Sequence, residues 1–110
     1  MLRESSTIVL ARNETWRGDS ATEPVEAGWA SEAVFFVRAL RTPVGAMPEV
    51  FVEISPDGMH WVREGSNVAM PTRENEVAAV RVAHFGNWLR LRSVLPTASE
   101  CVVLVTLHLK

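Results

Sequence analysis

Hydrophobic and polar positions alternate with a period of two along much of the chain, most plainly in residues 49–55. There Val50, Val52 and Ile54 alternate with Glu49, Phe51, Glu53 and Ser55, the pattern of a half-buried strand. Pro56-Asp57-Gly58 supplies turn chemistry: Pro fixes φ, Asp bonds back to its own backbone, and Gly tolerates positive φ. Trp61 and Val62 then lead a returning strand. Residues 49–64 therefore read as a β-hairpin, with Trp61 expected to pack in the core.

The rest of the chain punctuates itself in the same way. Residues 7–11 (Thr-Ile-Val-Leu-Ala) form a short first strand, and residues 12–27 are polar enough to read as a long surface connection carrying Trp16. Residues 28–110 form the main body. The Val-Phe-Phe-Val cluster at 34–37 predicts a second strand over residues 32–41. A helix over residues 27–40 is the alternative, because Ala and Glu favour it. A Pro-closed loop over 42–48 precedes the hairpin, and a turn-rich stretch follows it at 65–73, where residues 67–70 could add a short edge strand. Further strands are expected at 77–83, at 88–94 and at 100–110, with Leu89 and Leu91 on the face opposite Trp88, Arg90 and Arg92. About seven or eight short strands between turn signals predict an all-β fold, a single antiparallel β-sandwich of jelly-roll-like form. A faint internal echo joins residues 41–49 to 92–100: each runs Arg, seven-residue loop, Glu, then an apolar strand.

Two strands carry more apolar residues than one core requires. In the last, Cys101, Val103, Val105, Leu107 and Leu109 share a face while Val102 and Leu104 occupy the other. In the second, Val34 and Phe36 oppose Phe35 and Val37. A sandwich strand has a wet outer face, so the surplus implies cover by another subunit or by the 12–27 connection. Phe35, Val37, Val102, Leu104, Trp88, Arg90 and Arg92 are accordingly the expected oligomer interface, since symmetric self-association commonly buries such patches.

Composition narrows the classes. The 110 residues suit one domain, and 47% hydrophobic content is enough for a core. A formal net charge of −2 carries no footprint for nucleic acid or an anionic membrane, so neither is expected as a partner. Ten of the eleven basic residues are Arg, a bias that suits paired and stacked contacts. Cys101 is the only cysteine and is read as an inert core residue. The first residues lack the long apolar segment of a signal peptide, so a cytoplasmic or particle-associated location is expected.

Catalytic chemistry is thin. His60, His84 and His108 are spaced 24 apart without a second ligand at metal spacing, and no Gly-rich phosphate loop occurs. Cys101 and His108 lie seven residues apart on opposite faces of one strand, which is no catalytic pair. The eleven Glu residues leave a hydrolase built on two carboxylates as a distant third reading. No enzyme activity, cofactor or metal is expected. The four Trp residues remain: Trp88 with His84, Asn87 and Trp16 could stack on a sugar ring, or the indoles could cap the ends of the sandwich.

The segment Ser55-Pro-Asp-Gly-Met-His-Trp61 resembles the Ser-x-Asp-Gly-x-x-Trp hairpin of discoidin-like and other galactose-binding-like jelly-roll domains. The same hairpin recurs in small β-sandwich modules of phage virion and tail proteins. Over residues 28–110 the order of elements is similar too, including an aromatic-Leu-Arg-Leu-Arg strand after a Gly turn, as in Phe85-Gly-Asn-Trp-Leu-Arg-Leu-Arg92, and a final apolar strand. The resemblance implies a structural module that self-associates and forms or decorates a larger assembly, with carbohydrate binding as the alternative. The calcium- and sugar-contacting residues of the sugar-binding families have no placed counterpart here, which orders the two.

Overall fold

The computed structural model describes residues 5–110; residues 1–4, part of the stretch read as lacking a leader, lie outside the described residues. The described chain is all-β, with strands β1 (Ser6–Trp16), β2 (Asp19–Ala21), β3 (Val25–Glu26), β4 (Glu32–Ala39), β5 (Glu49–Ser55), β6 (Val62–Ala69), β7 (Val77–Ala83), β8 (Trp88–Val94) and β9 (Cys101–Leu109). Two antiparallel sheets pack face to face: sheet A in the order β1-β9-β4-β7, and sheet B in the order β2-β8-β5-β6 with β3 also paired to β8.

Setting aside the two-residue β3, the chain pairs its first strand with its last (β1–β9), its second with its last but one (β2–β8), and so inward through β4–β7 to β5–β6. This nested pairing, rolled into two four-stranded sheets, is jelly-roll topology. The hairpin β5–β6 is its innermost turn.

The two segments that echo each other in sequence have matching jobs. The β4–β5 loop carries the chain from sheet A to sheet B, and the β8–β9 loop carries it back. The loops meet. Val44 and Glu100 exchange both backbone bonds at 2.9 Å, forming an isolated antiparallel bridge.

Alternation decides what lies between the sheets. The inner faces contribute Phe35, Val37, Val50, Val52, Leu89, Leu91, Val103, Val105 and Leu107, all fully buried. Each such side chain stabilises the fold by about 1.5–3 kcal/mol relative to exposure.

Several expectations are corrected. Phe35 and Val37 belong to this core rather than to an outer interface: they pair with Leu107 and Val105, which point inward. The outward residues of β4 are Val34 and Phe36. A strand apolar on both faces does not reveal its inner face; its neighbours do.

The 12–27 stretch is not a loose connection. β1 continues to Trp16 across two register shifts, eased by the left-handed Asn13 at φ 53°. β2 and β3 then line the free side of β8, bridged by the Thr22 N–H to the Leu91 carbonyl at 2.9 Å and by the Leu91 N–H to the Thr22 hydroxyl at 3.1 Å. Trp16 is therefore buried at 2% exposure, its indole among the core residues. β6 takes in most of the short edge strand expected at 67–70, but it also runs unbroken through 65–66, read from the sequence as turn; a register shift opposite 51–53 and Gly65 at φ 116° let the strand accommodate them. Trp61 stands outside the core, on the outer face of sheet B beside Arg90.

Candidate functional site

The outer faces of the two sheets differ in kind. On sheet B, the central strand β5 presents Phe51 and Glu53 outward, yet both are buried, at 5% and 4% exposure. Arg63 lies over Phe51, and Arg90 and Arg92 bind Glu53. The Glu53 carboxylate accepts from Arg90 at 2.7 Å and from Arg92 at 3.3 Å. Arg92 also grips Asp19 with two parallel bonds of 2.8 Å. The Arg90 guanidinium stacks on Trp61 with its carbon 4.3 Å from the ring centroid, and Arg63 stacks on Phe51 at 3.7 Å.

Register explains the arrangement: Phe51 pairs with Arg92 and Glu53 with Arg90 across β5–β8, while Glu53 meets Arg63 across β5–β6. The Arg92 guanidinium holds the Asp19 carboxyl below the usual carboxylate range, mainly by direct hydrogen bonding, and Asp19 and Glu53 in turn raise Arg92. The Arg90 and Arg92 guanidinium groups thus balance two carboxylates on this face, and Trp61 and Phe51 stack against the guanidinium groups of Arg90 and Arg63.

The hairpin turn beside it is equally self-contained. The Ser55 hydroxyl accepts from the Gly58 N–H at 2.8 Å and donates to Asp57 at 3.0 Å. Asp57 accepts the N–H groups of Met59 and His60 at 2.8 and 2.9 Å, and the His60 ring at 2.6 Å. These donors hold the Asp57 carboxyl well below the ordinary carboxylate value, the backbone bond from His60 contributing most. Gly58 lies at φ 81°, and a Cβ there would stand 3.2 Å from the Trp88 ring, so Trp88 packs on the turn itself.

The outer face of sheet A carries an apolar band interspersed with a few polar side chains. Val34, Phe36, Val102 and Leu104 are half-buried there, and at its margins Val9 and Val77 are exposed at 42% and 51%. Cross-strand registers lay them in rows: Val9–Thr106–Phe36–Ala79 runs across all four strands, flanked by His108–Val34–Arg81 and Leu104–Arg38–Val77. His108 meets Phe36 edge-on, with ring centroids 5.1 Å apart. Arg38 is held to one side by Asn75 at 2.8 Å. A shallow depression closes one end of this face, lined by Glu32, Val34, Arg81, Ala83, His108 and Lys110.

The sequence-derived site residues separate accordingly. Val102 and Leu104 lie on the outer face of sheet A as expected, joined there by Val34 and Phe36 in place of Phe35 and Val37. Trp88, Arg90 and Arg92 lie on the opposite sheet, the two Arg in its ion-paired network and Trp88 against the hairpin turn. Of the four residues grouped for sugar stacking, His84 and Asn87 line one small depression beside Pro56 and Phe85, Trp88 packs on the hairpin turn, and Trp16 is in the core. They form no single platform. Among the described residues no group of three His, Cys, Asp or Glu side chains is placed to hold a metal ion. Burial pushes the Cys101 thiol up, as suits a core residue.

Sequence reasoning missed Glu53 and Phe51 as a covered outer layer. The signal was present in the spacing, since Arg63, Arg90 and Arg92 all fall on outward positions of the strands flanking β5.

No family model matches the chain, and no curated protein matches it in sequence. Among solved structures, the chain is similar to the SPBc2 prophage-derived protein YomS, with a TM-score of 0.60 at 12% identity over 99% of this chain and 96% of that one. That likeness extends over the whole of both chains and concerns the fold.

Proposed function

We propose that the protein is a non-enzymatic, phage-derived structural module that associates with itself, and with a larger assembly, through the outer face of sheet A. The observation that carries this reading is the band of Val34, Phe36, Val102 and Leu104 on a sheet face with no covering layer among the described residues. Antiparallel sandwiches keep such faces polar when they face water, and contiguous apolar patches mark interaction surfaces. The likeness to a prophage-derived protein over the full length of both chains supports the phage setting.

Sheet B supports the choice by contrast. Its outward charges and aromatics are engaged with one another, so a partner docking there would have to break Glu53–Arg90 or Asp19–Arg92 contacts. Carbohydrate binding has less to rest on, because Trp16 is buried away from Trp88, His84 and Asn87.

The size of the face sets what association can look like. Four strands about 4.8 Å apart, over about seven residues of 3.3 Å, present about 440 Å². Two such faces together bury about 900 Å², just under the roughly 1,000 Å² of a stable specific interface. Association through the face alone is therefore weak and gains from a second contact.

Light scattering behind a sizing column tests the reading. The wild-type chain is expected to run as a discrete oligomer, and Leu104→Asp, which places a charge on a half-exposed outer position, is expected to lower its mass. An unchanged mass on that substitution would remove the face from the assembly.

A further inference from the structure

We infer that two copies of the chain join edge to edge through β7, pairing the strand with itself about a two-fold axis. The observation is independent of the apolar face, although it supplies the second contact which that reading calls for.

A sandwich of two open sheets has four free edges, each a row of unpaired N–H and C=O groups that proteins usually blunt. Three are blunted here. The β1 edge is broken by two register shifts and a left-handed Asn13. The β2–β3 edge is interrupted between Ala21 and Val25, where Pro24 sits. The β6 edge carries a register shift and Gly65 at φ 116°. β7 is different: its seven residues pair with β4 in unbroken register from Glu32↔Ala83 to Arg38↔Val77. Val77-Ala-Ala-Val-Arg-Val-Ala83 holds no Pro, Gly or Lys, and one charge.

The direction of its free groups follows from alternation. Glu32 exchanges backbone bonds with Lys110 on the β9 side, and Ala39 donates to the Glu76 carbonyl at 3.1 Å on the β7 side. Residues 76, 78, 80 and 82 therefore face β4. The N–H and C=O of Val77, Ala79, Arg81 and Ala83 point to the open edge, and the side chains of all four are exposed.

A second copy fits this edge because the strand is nearly its own reverse. Full antiparallel overlap of Val77–Ala83 with itself centres on Val80 and sets Val77 opposite Ala83, Ala78 opposite Val82 and Ala79 opposite Arg81. The outward-facing residues then meet one another, as the ladder requires, giving about eight N–H···O bonds. No two charges stand directly opposite, the arrangement that destabilises strand pairs. Such a contact is isologous and closes at two copies. It also makes the apolar outer faces of the two A sheets continuous.

Position 79 tests the pairing because its side chain is exposed while its cross-edge neighbour is Arg81 of the other copy. Ala79→Glu places a carboxylate opposite that guanidinium twice per dimer, and Ala79→Arg places a like charge there. Sedimentation equilibrium is expected to show the dimer tightened about two- to tenfold by Ala79→Glu and loosened by a similar factor by Ala79→Arg, with thermal melts confirming that both variants fold. Equal association of both variants and wild type would overturn the edge pairing, as would a wild-type monomer at the highest soluble concentration. Sensitivity to Leu104→Asp with indifference at position 79 would leave the face reading standing and the edge pairing refuted. The reverse pattern would do the opposite.

Discussion

Glu53 shows how far one side chain can be committed by its neighbours. It points outward from β5, yet Arg90, Arg92 and the surrounding aromatics leave it 4% exposed. Glu53→Gln would leave Arg90 without its carboxylate and Arg92 with Asp19 alone. Breaking a fully buried pair costs about 3–5 kcal/mol, but the two Arg side chains keep 21% and 31% exposure. The expected loss is therefore about 1–3 kcal/mol, read from the denaturant midpoint at unchanged slope.

Asp57 gives the complementary case at the surface. Its folded carboxyl titrates well below the ordinary value of 3.8, because backbone N–H groups bind the ionised form. A depressed carboxyl contributes stability that is fully present above its unfolded value and lost as pH falls through the folded one. Thermal midpoints should thus decline as pH drops below about 4, and Asp57→Asn should flatten that decline. Asp19 and Glu76, also lowered, leave a remainder in the variant. Identical acid slopes in the two proteins would show that the turn holds without the charge.

At the scale of elements, the crossover loops are the points where both sheets depend on one backbone geometry. Gly45 lies at φ 78°, and a Cβ there would stand 2.5 Å from the Ser99 hydroxyl and 3.1 Å from the Ser99 Cα. The close approach belongs to the Val44–Glu100 bridge that ties the two loops together. Gly45→Ala combines left-handed strain with that crowding. It is expected to cost about 1–3 kcal/mol, measured by chemical denaturation, whereas Ala46→Gly in the same loop should change little. The echo between residues 41–49 and 92–100 was visible in the sequence, but its meaning was not. The two stretches pair because each crosses between the sheets at the same end of the sandwich, a fact of topology rather than of composition.

At the scale of the whole molecule, two mutually indifferent surfaces emerge. Sheet B carries its charges and aromatics in internal pairs, while sheet A leaves an apolar face and one regular edge. The association experiments at Leu104 and Ala79 address that asymmetry directly: Leu104 lies within the face, Ala79 lies where face and open edge meet and reports on the edge through the opposite effects of Glu and Arg, and neither touches the inter-sheet core.

Period-two alternation, turn residues and chain length determined by themselves that the protein is an antiparallel sandwich. They placed β5, β7, β8 and β9 almost to the residue: Pro48 and Pro56 bracket β5 and Asn87 precedes β8, while β7 and β9 are apolar runs set off by polar neighbours. They also identified Pro56-Asp57-Gly58 as a turn, since the bonds that lock it are local. Only the tertiary structure decided which face of β4 points inward, because Val34, Phe35, Phe36 and Val37 are all apolar and the choice belongs to the pairing with β9. It alone drew the polar 12–27 stretch into β1, β2 and β3, where long-range bonds to β8 and β9 outweigh weak local preference. The fates of Trp16 and Trp61 were decided in the same way: an indole can pack inside or cover an ion pair, and its surroundings in three dimensions choose between them.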